Sequence, residues 1–156
     1  MDIKKMLEAQ KELDKANMKK GGLTEYPLEL VQTAYRVELG ELLQEWKQFK
    51  FWKINKGEID RDKMLEEWAD CMHFALSLDN NIYKCGVYTK DDFNRYIEDE
   101  TILDIYKVIN DCFIVSVFTL PCVIALGLKL GYTLEELEQA YWKKNKINWE
   151  RINGGY

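Results

Sequence analysis

Apolar residues recur at three- and four-residue spacings along most of the chain, and no run of any length alternates at every second position. That is helical periodicity, not strand periodicity. Residues 3–17 turn Ile3, Met6, Leu7, Gln10, Leu13 and Asp14 toward one side, and Gly21-Gly22 breaks the segment. After Pro27 a second predicted helix runs to about Phe49, with room to continue through residues 50–53; residues 55–60, around Gly57, form a turn. A third spans roughly 62–79 and is expected to end at Asp79-Asn80-Asn81. An irregular connection over 82–89 leads to a short helix near 91–96 and a longer one from Glu98 to Phe118. Pro121 either kinks that helix or opens the next, which ends near Gly131. Thr133 with Glu136 three residues on predicts a capping box at the head of the last helix. With two prolines and nine glycines in 156 residues, the expected fold is an all-α helical bundle, a single domain over 1–156.

Two acidic pairs interrupt the apolar stripes. In the second helix the stripe is Val31, Ala34, Tyr35, Leu42, Trp46 and Phe49; Glu38 falls on it and Glu41 at its edge. In the third, Met64, Trp68, Cys71, Ala75 and Leu78 make the buried face. Glu67 lies among Met64, Cys71 and Phe74, one turn from Asp70, while Glu66 and His73 sit off the stripe. An unpartnered buried carboxylate costs several kcal/mol, so something positive must meet Glu38, Glu41, Glu67 and Asp70. Lysine or arginine would serve. So would a metal ion, and an all-oxygen donor set without interleaved Cys or imidazole suits Mg²⁺, Mn²⁺ or Ca²⁺ better than zinc. Magnesium points in turn to a phosphate ester or anhydride as substrate.

Composition narrows the classes. Apolar residues make up 47% and charged residues 31%, as in a folded soluble domain. A net charge of −5 argues against a nucleic-acid binder, which would show a basic face. Cys71, Cys85, Cys112 and Cys122 form no CxxC pair, and the N-terminus lacks a signal peptide's apolar core, so reduced thiols in a cytoplasmic protein are expected. The uncharged stretch from Cys112 to Leu128 falls short of the roughly 20 residues of a membrane span. It is expected to be buried between helices or between subunits.

The tail places Tyr141, Lys144, Asn145, Asn148 and Arg151 at three- and four-residue spacings, a plausible grip for phosphate and sugar. Together with this run, Glu38xxGlu41 followed by Glu67xxAsp70 resembles the metal motif of the all-α nucleoside triphosphate pyrophosphatases, which include the MazG-like enzymes and the dimeric dUTPases. Residues 10–14 (QKELD), 50–53 (KFWK), 70–74 (DCMHF) and the KNxxNxxR run are similar to the dimeric dUTPases in particular.

The resemblance implies a Mg²⁺-dependent homodimer that hydrolyses dUTP to dUMP and pyrophosphate, with Mn²⁺ as a substitute, by attack at the β-phosphorus, the α-phosphorus being the alternative. Glu38, Glu41, Glu67 and Asp70 would hold the metal, Glu38 also orienting or deprotonating the water. Gln10 would meet the uracil edge, with Phe51 and Phe74 lining or stacking on the base. Lys144, Asn148 and Arg151 would reach phosphates and deoxyribose, joined by Tyr141, Asn145 and Lys53. Other readings stay open: a MazG-like enzyme acting on another nucleotide such as dCTP, or a phage-type regulatory protein that binds a repressor. A carboxylate-bridged di-iron bundle lacks the second inward histidine such a site needs.

Overall fold

The computed structural model describes residues 1–84, 94, 96–98, 100–111 and 119–154, and among these no strand occurs. Its helices are α1 (Ile3–Lys20), α2 (Leu28–Trp46), α3 (Arg61–Leu78), α4 (Ile102–Asp111), α5 (Thr119–Lys129) and α6 (Leu134–Asn153), with a π-helical turn, Asp79–Tyr83, directly after α3. No helix among the described residues is long and apolar enough to cross a membrane. Residues 94 and 96–98 are also helical. Residues 85–93 and 95, most of the irregular connection and short helix expected over 82–96, lie outside the described residues, as do 112–118.

Local chemistry sets the ends. Asp60 caps α3 by accepting from the Lys63 amide at 3.0 Å. Thr133 and Glu136 form the reciprocal capping box at the head of α6. α2 stops at Trp46, short of Phe49, because Lys47 takes a left-handed conformation (φ 64°) and its amide returns to the Leu43 carbonyl at 2.9 Å. Asp79-Asn80-Asn81 does not end the helical path as expected. The backbone widens into the π turn, and Asn81 donates back to the Ser77 carbonyl at 2.8 Å.

α3 is the centre of the bundle, touched by α1, α2, α5, α6 and the π turn. That explains why residues on nearly all its faces are buried, from Trp68 and Ala69 through Cys71, Met72, His73 and Ala75 to Leu78. His73, expected off the buried face, is inside it, because α1 and α6 pack on the side that the apolar stripe leaves polar. Trp68 is fully buried and donates to the Val123 carbonyl at 2.8 Å, joining α3 to α5. Burying a ring of that size contributes on the order of 2–3 kcal/mol. α5 passes so close that a Cβ on Gly127 would stand 2.7 Å from Trp68 Nε1 and 2.8 Å from Leu137.

Thr119 through Gly127 are buried within this one chain. The described part of the uncharged 112–128 stretch is therefore a core helix through Gly127, packed between helices of its own chain.

Candidate active site

Four elements turn one stripe each toward a common cleft of about 520 Å³. α1 supplies Gln10, Leu13, Asp14 and Asn17; α3 supplies Asp70, His73, Phe74 and Ser77. Within each set the spacing is three, one and three, one side of a helix over two turns. α2 adds Val31 and Glu38, and α6 adds Asn148, Arg151 and Ile152. The buried face of α2 is Tyr35, Leu39, Leu42 and Leu43, which leaves Glu38 half-buried at its edge, looking into the cleft.

Glu38, Glu67 and Asp70 each bring an oxygen to within 4.8 Å of the others'. The electrostatics follow from that crowding. Burial, then the charges of Asp70, Glu41 and Glu67, push Glu38 up from its ordinary 4.5 to about 7. Burial first, with neighbouring acids behind it, also raises Glu67 and Asp70. Lys144 works against these shifts, its Nζ lying 2.6 Å from Asp70 Oδ2 and 3.1 Å from Glu66 Oε1. Neither Glu38 nor Glu67 has a salt bridge among the described residues. Three hard carboxylates with one lysine at ion-pair distance, and Lys63 and Arg151 acting on Glu67 and Asp70 from further off, remain short of positive charge, a donor set that fits a divalent cation.

A second polar constellation occupies the α1–α3 wall. Gln10 Nε2 donates to Asp14 Oδ1 at 2.7 Å, so Gln10 Oε1 is left facing His73 Nδ1 at 2.6 Å. Burial holds His73 neutral, its pKa pushed down to about 3 with Lys144 adding to the effect. The imidazole therefore carries its single proton on Nδ1 and donates it to Gln10. Its ring stacks on Tyr141 at 4.5 Å, and Tyr26 and Ser77 hydroxyls meet at 2.8 Å on the same wall.

Of the residues singled out in the sequence, the fold brings Gln10, Glu38, Asp70, Phe74, Asn148 and Arg151 to the cleft, with Glu67 in the acid group beside it. Glu41 is exposed and outside that group, although its charge acts on both Glu38 and Glu67. Phe51 (88% exposed) and Lys53 lie in the connection between α2 and α3, away from the cleft lining. Tyr141 and Asn145 are buried behind His73, and the Tyr141 hydroxyl donates to the Met6 carbonyl at 3.1 Å. Lys144 is buried on the far side of Asp70. Asn17 and Ser77 are wall residues that no sequence motif singled out, and Asp14, placed beside Gln10 on the first helix by its spacing, joins them. Their signal was present as polar residues at helical spacing around Leu13 and Phe74.

A search of curated proteins finds no match for the chain. A family model described as dUTPase matches residues 2–156. That match takes in α1 through α6 and every acid of the cluster, and the helical architecture agrees with it: the chain belongs to the all-α dUTPase family and is a dUTP diphosphatase.

Proposed function

We propose that dUTP is hydrolysed to dUMP and pyrophosphate at the end of the cleft where Glu38, Glu67 and Asp70 converge, in a Mg²⁺-dependent reaction. The observation that carries this reading is the three-acid group, within 4.8 Å and without enough lysine to neutralise it, at one end of a nucleotide-sized cleft. Glu38, Glu67 and Asp70 would hold Mg²⁺ or Mn²⁺, with Glu41 one turn along α2 as a further donor. When bound, the ion neutralises charge on the triphosphate and acidifies water.

The remaining chemistry belongs to the side chains. Glu38, whose proton affinity burial and the neighbouring acids raise, faces the cleft and would accept a proton from the attacking water. Arg151 and Asn148, one turn apart on α6 on the opposite wall, suit the phosphates and sugar; the guanidinium fork pairs with two phosphate oxygens at once. Phe74 with the Gln10–Asp14–Asn17–Ser77 wall gives a base one apolar face and a row of amide and carboxyl groups along its edge. An amide held in one orientation selects uracil over cytosine, because the wrong edge leaves donors or acceptors buried and unpaired.

A homodimer remains part of this reading, with the exposed Leu30 and Val37 on α2 and Phe51, Trp52 and Ile54 beyond it as the surface a second copy would cover. Light scattering on the W52E/I54E variant reads out that surface.

The test of the site is Asp70→Asn and Glu67→Gln with dUTP, dCTP and dTTP in Mg²⁺. Turnover of dUTP falls by several orders of magnitude in both variants while the helical circular dichroism is kept. Near-normal turnover in either would refute the site. Equal turnover of dCTP and dUTP by the unmodified enzyme would refute the uracil preference. Label from ¹⁸O-water is expected in pyrophosphate rather than dUMP.

A further inference from the structure

Lys144 approaches Asp70 from behind. Its side chain is 8% exposed and lines a second cleft of about 270 Å³ between α3 and α6, with Glu66, Ala69, Lys143 and Ile147, rather than the main cleft. From there the ammonium reaches two carboxylates of different character. Asp70, 2.6 Å away, is a member of the three-acid group; Glu66, 3.1 Å away, is exposed and stands outside it. A positive charge at ion-pair distance from Asp70 opposes a second cation on the same carboxylate. A buried lysine also needs a carboxylate partner to remain in place, and Glu66 supplies one. A compact ammonium on a flexible stem shifts between two such partners without a change of backbone.

We propose that Lys144 competes with the divalent cation for Asp70, and that Glu66 is the anchor which retains the ammonium when Asp70 turns to the cation. This rests on the reading that Glu38, Glu67 and Asp70 hold that cation. In consequence Lys144 sets the site's affinity for the free ion and keeps it low, so that loading depends on the triphosphate arriving with its own metal. Toward the cation, Lys144 acts through Asp70, as a positioning residue.

The experiment is a titration of Mn²⁺ alone, without nucleotide, followed by electron paramagnetic resonance at pH 8, on the unmodified protein and on K144M, K144R, E66Q, K144M/E66Q and E67Q. K144M is expected to bind Mn²⁺ at least tenfold more tightly, and K144R to resemble the unmodified protein. E66Q, which drives the ammonium onto Asp70, should bind several-fold more weakly, and in the K144M background its effect should shrink to within about twofold. The proposal is overturned if K144M binds Mn²⁺ no better than the unmodified protein, or if E66Q acts equally with and without Lys144. If K144M does not fold, E66Q, at an exposed position, decides alone: an unchanged Mn²⁺ affinity overturns the proposal. E67Q separates the two readings. Loss of Mn²⁺ binding in E67Q with no change in K144M sinks only the role of Lys144; undiminished binding in E67Q sinks the cation site itself.

Discussion

Gln10 and His73, 63 positions apart, share a 2.6 Å hydrogen bond that fixes both side chains on the cleft wall. The bond does three things together. It satisfies the amide oxygen, sets the imidazole tautomer, and, with the Gln10–Asp14 bond at 2.7 Å, holds the amide in one orientation.

Replacing His73 by Leu should therefore cost about 1–3 kcal/mol, the penalty for leaving the buried Gln10 oxygen without a donor. Urea denaturation measures it, and a loss below half a kcal/mol would show that the bond contributes little. In the same variant KM for dUTP should rise more than kcat falls, and discrimination against dCTP should narrow.

Stability should depend on pH through Glu38. Its pKa is raised in the folded state, from 4.5 to about 7, so the fold favours the protonated acid. Below about 4.5 the group is protonated whether folded or not and contributes nothing. As pH rises from 4.5 through 7 the folded protein must ionise a crowded carboxylate, and stability falls. Glu38→Gln removes that loss. In chelator, the variant should be more stable than the unmodified protein at pH 8, by on the order of 1–2 kcal/mol once solvent screening of a half-buried group is allowed for. The two should converge near pH 4. Chemical denaturation across that range is the measurement, and a constant gap would contradict the shift.

Arg151 should matter through its shape as well as its charge. A charge-assisted hydrogen bond contributes about 1.5–3 kcal/mol, so Arg151→Ala should lower kcat/KM for dUTP roughly 10–150-fold. Arg151→Lys should recover only part of this, because an ammonium cannot make the paired contact. Steady-state kinetics decide; full recovery with Lys would reduce the role of Arg151 to that of a charge.

At Gly127 two effects oppose each other. Alanine gains about 1 kcal/mol of helix propensity, but its methyl would meet the Trp68 ring nitrogen at 2.7 Å and Leu137 at 2.8 Å. Overpacking typically costs about 1–3 kcal/mol, and here the ring nitrogen is tied to the Val123 carbonyl. Gly127→Ala should lower Tm by roughly 2–8 °C. An unchanged Tm would mean that α5 moves aside at little cost.

Local periodicity carries a good deal of this molecule. The spacing of Glu38 on α2 and of Glu67 and Asp70 on α3 is a property of each helix alone, and so are the Thr133–Glu136 box and the all-helical class. Where it fails, the failure is physical. Lys47 ends α2 in a left-handed turn that no apolar pattern encodes, and Phe51 and Lys53 are carried past it into an exposed connection, off the cleft. His73 is buried because two neighbouring helices, not its own, surround it.

By itself, then, the sequence determined that the chain is helical, which residues share a face of each helix, and that four acids stand where burial would be costly. Only the tertiary structure decided which faces meet. Glu41 is left outside the acid group, and Lys144, 74 positions along the chain from Asp70, becomes the cation that tempers it. The reason is range: a helical repeat fixes the angle of a side chain about its own axis, whereas burial, ion pairing and the shape of a cleft depend on which other helix packs against it.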